Sequence, residues 1–180
     1  MRPASEEITA LSEEHRFTEM APRIYRFLLR LCGDPDWASD LAQESLTRGW
    51  QHRNQVNSIE AFPSWLFRIA LRVWSDSCRR NSPPKQSQVS LDDIPTKAPE
   101  PSDVCVRNEI GELLWNRMAT LPDRQKQVLH LRIIEQLEIP EIAEVIERSP
   151  ENVRSNLAAA RKKLRQSLET DDPLAKSTNS

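Results

Sequence analysis

The sequence predicts an all-α protein: two small helical domains joined by a proline-rich linker, the second containing a helix-turn-helix. Three observations predict it. Glycine occurs 3 times and tyrosine once in 180 residues, while Leu, Arg, Glu and Ala dominate, which favours helices over a β protein with its turn glycines and β-branched runs. Apolar residues recur at spacings of three and four in both halves of the chain. Between the halves, NSPPKQSQVSLDDIPTKAPEPSD carries 5 of the 13 prolines and no sustained apolar period, the mark of an extended connector. With 38% hydrophobic residues, the chain can bury two cores of about 60 to 90 residues each.

Element by element, Phe17, Met20, Ile24, Phe27, Leu28 and Leu31 form the stripe of an amphipathic helix over residues 16–31, and Gly33-Asp34-Pro35 ends it. A second helix is expected from about Asp36 to His52 and a third from about Phe62 to Arg80, with RNQVNSIE between them. Periodicity returns with Val106, Ile110, Leu113, Leu114 and Met118, breaks at Leu121-Pro122, and resumes with Val128, Leu129, Leu131 and Ile134. Two shorter helices follow, Pro140 to Glu147 and Pro150 to Ser167, before a polar tail expected to be disordered. The expected boundaries are therefore 1–80, a linker at 81–105, a second domain at 106–168, and a tail at 169–180.

The net charge of −2 argues against a chain that coats nucleic acid indiscriminately, so the distribution carries the information. Lys and Arg number 11 against 11 Asp and Glu in residues 1–80, 2 against 4 in 81–105, 11 against 9 in 106–168, and 1 against 3 in 169–180. Two near-neutral domains alternate with acidic connectors. Cys32, Cys78 and Cys105 form no CxxC pair and read as buried thiols of a reducing cytoplasm. His15, His52 and His130 are scattered, and no glycine-rich phosphate loop or nucleophile with a base is present, so no catalytic residue, metal or cofactor is expected. The N-terminus lacks an apolar export region, and no run of about 18 apolar residues occurs that would suit a membrane.

The segment IPEIAEVIERSPENVRSNLAAARKKLR holds the most informative local chemistry. A short helix with Ile142, Ala143 and Ile146 inward is followed at once by Ser149, suited to cap a new helix, and Pro150 at its first position. So tight a turn between two helices is a helix-turn-helix. In its second helix Val153, Leu157, Ala160 and Leu164 share one face, leaving Glu151, Asn152, Arg154, Ser155 and Ala158 outward near the end that enters a major groove. Arg154, Arg161, Lys162, Lys163 and Arg165, with no acidic residue from Asn152 to Leu168, suit phosphates. Glu135, Glu138, Glu141, Glu144 and Glu147, every third residue just upstream, read as a solvated face.

In the first half, residues 37–51 placed on a helical wheel set Leu41, Ala42, Ser45, Leu46 and Gly49 opposite Asp40, Gln43, Glu44, Thr47 and Gln51. In the next helix Leu66, Ile69, Ala70 and Val73 form the core stripe, while Arg68, Arg72, Ser75 and Arg79 line up elsewhere with Trp65 and Asp76 beside them. Guanidinium groups interleaved with an aromatic suit a displaced single strand. Trp65 and Trp74 equally suit the core.

DLAQESLTRGW (Asp40 to Trp50) followed by PSWLFRIALRVWSDSCRR (Pro63 to Arg80) resembles the second conserved region of sigma-70-type factors, and the stretch from Leu121 to Arg165 is similar to their fourth. The order, the spacing and the short linker match the extracytoplasmic-function group over about residues 20–166. The resemblance implies a non-enzymatic sigma factor that brings core RNA polymerase to promoters. Asp40, Gln43, Glu44 and Thr47 would hold the clamp coiled coil of the polymerase. The loop from Arg53 to Ile59, with Arg53 and Asn54, and the helix carrying Phe62, Trp65, Arg68, Arg72, Asp76, Arg79 and Arg80 would take the −10 element, where a base is flipped out of the duplex. Arg148, Ser149, Glu151, Asn152, Arg154, Ser155, Ala158, Arg161 and Lys162 would meet the −35 element. The polymerase flap and an anti-sigma factor are further partners it implies.

The chain departs from the family pattern at Glu151-Asn152, where a glycine-threonine pair is usual, at Asn156 and Ala159, usually basic, and at Arg72, commonly Asn. Two fewer cations reduce phosphate attraction at the −35 face. Two other readings remain open on the residues: a helix-turn-helix regulator acting on duplex DNA without polymerase, and a sigma-like protein-interaction module.

Overall fold

The computed structural model describes residues 4–56, 58–80, 117–118 and 120–170, and the chain divides into two units, Met1–Val89 and Ser90–Ser180. The expected linker, Cys105, most of the stretch expected to be helical from Val106 to Met118, and the tail beyond residue 170 lie outside the described residues.

In the first unit, helix α1 (Ala4–Cys32) begins twelve residues before the periodic stretch. The preceding Glu, Ala and Leu residues carry high helix propensity although their apolar period is weak. Its stripe is buried except at one end: Ile24, Phe27 and Leu28 are inaccessible and Met20 and Leu31 nearly so, whereas Phe17 is half-buried. Each such side chain removed from water contributes about 1.5–3 kcal/mol. The helix ends where Gly33 turns to φ 69°, its N–H donating to the Leu29 carbonyl at 2.8 Å. Asp34 then caps helix α2 (Pro35–Gln51), accepting from the Trp37 N–H at 2.8 Å, with Pro35 at the first position, where no amide donor is needed. Burial and its place beside Asp34 push the Cys32 thiol up to about 11, and it donates to the Asp34 carbonyl at 3.3 Å; it is no nucleophile at neutral pH.

Helix α2 buries Ala38, Leu41, Ala42, Ser45 and Gly49; Leu46, expected on the same face, is only half-buried. A 3-10 turn (Arg53–Gln55) and a loop lead to helix α3 (Phe62–Arg80), whose Leu66, Phe67, Ala70 and Val73 are inaccessible, whereas Ile69 is half-buried. The three helices share one core, in which the Phe27 and Phe67 rings meet edge to face at 5.2 Å and Trp37 Nε1 donates to Ser77 Oγ at 3.1 Å. Gly49 sits where α2 comes nearest its neighbours: a Cβ there would lie 2.7 Å from Leu66 Cδ1 and 3.1 Å from Phe17 Cε1.

The second unit holds helices α4 (Asp123–Ile133), α5 (Ile139–Ile146) and α6 (Pro150–Thr170), packed around Val128, Leu131, Ile142 and Val153. Helix α6 runs three residues past the expected Ser167, into the segment assigned to the tail. The expectation of one solvated glutamate face is corrected here. Glu135 is 9% exposed, because the chain leaves α4 through Gln136 at φ 58° and folds the Glu135 carboxylate back against His130, with Oε1 3.0 Å from Nε2. Glu138 also has structural work: its N–H donates to Glu141 Oε2 at 2.7 Å, and its carboxylate meets Arg132 at 2.8 Å. Glu144 and Glu147 are exposed as expected.

The turn of the helix-turn-helix is made by Glu147 at φ 53°, with the Arg148 N–H reaching back to the Ala143 carbonyl at 3.0 Å. Ser149 Oγ accepts from the Asn152 N–H at 3.3 Å. Among the described residues no helix is long and apolar enough to cross a membrane.

Two glycine substitutions have opposite expected signs. Gly49→Val forces Leu66 and Phe17 aside and lowers stability by about 2 kcal/mol, overpacking outweighing the helix-propensity gain. Glu147→Gly relieves a left-handed residue and raises stability by about 1 kcal/mol, or roughly 4–8 °C in Tm for a unit of this size. Thermal melts followed by circular dichroism check both.

Candidate functional surfaces

On α2, Asp40, Gln43 and Thr47 are exposed and Glu44 half-buried, on the side opposite Leu41, Ala42, Ser45 and Gly49. The face is not purely acidic and polar. Arg48 pairs with Glu44 one turn away and also approaches Asp76 Oδ2 of α3 at 3.9 Å. Sequence reasoning missed Arg48, because the helical wheel gives each residue's azimuth but not the neighbouring helix it leans against. Beside Thr47, Phe17, Ala21, Leu46 and Trp50 line an open apolar hollow of about 480 Å³.

On α3, Arg72, Arg79 and Arg80 are exposed and Arg68 and Trp65 half-buried. Asp76 is a hub: its carboxylate binds Arg79 and Arg48, and its carbonyl accepts from Arg80 Nε at 3.3 Å. An acidic residue so engaged orients the guanidinium groups rather than facing a phosphate itself. Phe62, expected at the DNA surface, is 5% exposed and packs its ring on Phe17 at 5.0 Å and near Trp65 at 6.0 Å.

Between α1, the 3-10 turn and α3 lies a cavity of about 220 Å³, lined by Glu13, Arg16, Phe17, Arg53, Ile59 and Phe62 among others. Arg53, one of the expected −10 residues, is fixed at its mouth. Nε donates to Glu13 Oε2 at 3.2 Å, Nη1 to the Trp50 carbonyl at 2.9 Å, and the guanidinium lies 4.6 Å from the Trp50 ring centre. Arg16 lies over the Phe62 ring at 5.6 Å. Ile59 is 67% exposed at the rim, and Asn54 is exposed on the turn nearby. Glu13, Arg16 and Trp50 were not expected at a site. The only sequence signal for Glu13 and Arg16 is their place about two turns and one turn, respectively, before Met20 on a helix whose start the apolar period does not mark.

In the second unit, Val153, Leu157 and Ala160 hold α6 against its neighbours. Arg148, Ser149, Glu151, Asn152, Arg154, Ser155, Ala158, Arg161 and Lys162 are all exposed. Five are engaged locally: Arg148 donates to the Glu147 carbonyl at 2.8 Å, Ser149 caps the helix, Arg154 meets Glu151 at 3.4 Å, and Asn152 accepts from Asn156 Nδ2 at 2.9 Å through its carbonyl and 3.0 Å through its side chain. Asn156, at a position where a base is usual, thus completes a local amide pair. The Glu151 carboxyl is held below its usual range by its own backbone N–H, then by the Ser149 hydroxyl and Arg154. Arg124, which sequence reasoning also missed, has its guanidinium pKa lowered by burial first and by the like charge of Arg148 second.

Residues 17–83 match the family described as sigma-70 region 2, and residues 111–164 match sigma-70 region 4. The chain is similar to the ECF RNA polymerase sigma factor SigM of Bacillus subtilis, 30% identical over 143 residues, spanning 79% of this chain and 86% of that protein. Similarity to SigW of the same organism is 26% over 160 residues, spanning 81% and 83%. Among solved structures, the sigma factor RpoE bound to the anti-sigma factor NepR, from Bartonella quintana, shares the fold with a TM-score of 0.72 at 16% identity, over 89% of this chain and 98% of that one. CnrH, in complex with the cytosolic domain of CnrY, gives 0.55 at 20% identity, over 88% and 90%.

Proposed function

The chain belongs to the extracytoplasmic-function group of the sigma-70 family of RNA polymerase sigma factors, directing transcription initiation, and we propose that three of its surfaces divide that task. The first is the α2 face. Asp40, Gln43 and Glu44 offer acceptors to basic groups on the clamp coiled coil of core polymerase, where charge-assisted hydrogen bonds are about twice as strong as neutral ones. Thr47 and the apolar hollow beside it extend that contact.

The second surface is the cavity and the α3 cations. Opening a promoter requires one base to leave the stack, at a cost of a few kcal/mol that a prepared pocket offsets. The cavity below Ile59 and Arg53 offers room for a base, while Arg68, Arg72, Arg79 and Arg80 neutralise the phosphates of the displaced strand. Asp76, itself approached by Arg48, positions the guanidinium groups of Arg79 and Arg80. The third surface is α6, where Asn152, Arg154 and Ser155 face base edges of the −35 element and Arg148, Arg161 and Lys162 its phosphates. Catalysis stays with the polymerase, and the chain works in the cytoplasm. An anti-sigma factor is a proposed regulator, and the polymerase flap a proposed second contact.

The observation that carries this reading is the placement, on one three-helix core, of an acidic-polar face on α2 and a cationic face on α3. Reversing the α2 charges with Asp40→Arg and Glu44→Arg together is expected to cut affinity for core polymerase at least about 100-fold, since like charges replace charge-assisted pairs. A pull-down of purified core enzyme measures it. Tight duplex binding by the chain alone, with no affinity of the wild type for core, contradicts the reading and favours a polymerase-independent regulator.

A further inference from the structure

We infer that the arginine row on the second half of α1, Arg23, Arg26 and Arg30, binds the phosphate backbone of promoter duplex DNA beside the cations of α3. The inference rests on the reading of α3 as a DNA face.

Charge is sorted sharply within the first unit. Residues 1–80 hold 11 Lys and Arg against 11 Asp and Glu, yet residues 20–33 carry three arginines and no acidic residue, and residues 62–80 carry four arginines against Asp76 alone. These two stretches lie side by side and run in the same direction. Arg16 of α1 lies over the Phe62 ring at the start of α3, Arg23 lies over the Phe67 ring at 5.9 Å, and Phe27 meets Phe67 at 5.2 Å. At the far end Trp37, just past the close of α1, donates to Ser77 of α3 at 3.1 Å.

The arginines also share a side of their own helix. Arg16, Arg23 and Arg30 recur every seven residues, so each step is about 10.5 Å along the axis and drifts only about 20° around it. Arg26 falls one turn after Arg23. Glu19 precedes the row on the same side and meets His15 at 3.3 Å. Complementing the helix dipole accounts for Arg30 in the last turn, but that effect fades before it reaches Arg26 or Arg23. All three are half-buried, and the ring contact of Arg23 fixes its side chain without occupying an N–H donor.

Helices packed side by side have axes about 8–10 Å apart, so the unit presents two rows of cations flanking the seam between α1 and α3. A single strand needs one row. The two backbones of a duplex, which flank a groove, use both: the α3 row takes the strand to be displaced, and the α1 row takes its complement where the two are still paired.

The test uses holoenzyme assembled from core polymerase and the full chain, binding two labelled templates from a promoter it transcribes over a range of salt. One is a fork with duplex upstream of the −10 element, the other the displaced strand alone. Each neutralised duplex phosphate contributes about 0.9 to the slope of log affinity against log salt, so Arg23→Gln, Arg26→Gln and Arg30→Gln combined should lower the slope on the fork by about 2–3. The slope on the single strand should stay as in the wild type. Lysine at the same three positions keeps the charges and should keep the slope. An unchanged slope on the fork with the glutamine triple, or an equal loss with the lysine triple, overturns the inference. Equal loss on the single strand assigns the row to that strand and overturns the duplex assignment. Weaker binding to core with unchanged DNA slopes makes the row a polymerase contact and also overturns it. If the glutamine triple loses its helical circular dichroism, Arg26→Gln alone carries the test, with a loss of about 0.9 expected. Failure of the initiation reading is distinct: the wild-type chain then gives core enzyme no promoter binding at all.

Discussion

The close packing of α2 against α3 and α1 at Gly49 is the constraint on which the first unit depends. With no side chain at Gly49, Leu66 and Phe17 occupy the space that a Cβ would need, and the buried stripes of all three helices fit one core. Because side chains at that core are inaccessible, each helix is fixed in rotation about its own axis. The outward faces follow: acidic and polar on α2, cationic on α3. Arg48 spans the seam between them, touching Glu44 on its own helix and Asp76 on the next. The surface proposed for polymerase and the surface proposed for DNA are thus mechanically one body, joined by a short charged chain through residues that are half exposed.

The second unit reaches the same end by different means. Its helices are short, and α4 buries Lys126, Gln127 and His130 along with its apolar residues. Such groups are tolerable only when satisfied, and they are held locally: Lys126 by Asp123 at 3.7 Å, Gln127 by Arg124 at 3.0 Å, and His130 by Glu135 at 3.0 Å. Losing the Glu135 carboxylate would leave His130 buried without that acceptor, a loss of about 1–3 kcal/mol. Arg132 clasps the following turn through the Leu137 carbonyl at 2.9 Å and Glu138 at 2.8 Å. These polar ties fix α4 and its turn into α5, the two helices against which α6 packs.

Much of this was legible in the sequence because it depends on period and punctuation. The stripe from Met20 to Leu31, the helix end at Gly33-Asp34-Pro35, the Ser149-Pro150 helix start, and the bounds of α3 all follow from rules that act within a few residues. What escaped depends on contacts between elements. Glu135 shares a three-residue period with four other glutamates, but the left-handed turn at Gln136 folds it inward, and no periodicity encodes that. Phe62 reads as a surface aromatic at a helix start until Phe17 is seen to close over it. Arg48 and Glu13 look like ordinary charges of a helix surface; only the position of Asp76 in one case, and of Arg53 in the other, gives them roles. The apolar period also hid the true start of α1, since helix propensity without apolar spacing in the sequence leaves no periodic trace.

If the two units serve one polymerase, the chain decides where that enzyme starts on genomic DNA. RNA made in vitro by core enzyme from fragments of the source genome, with and without the chain, is mapped at its 5′ ends. A discrete set of start sites is expected that appears only with the chain and shares an upstream pair of sequence elements at fixed separation. The same start sites with and without the chain would contradict it.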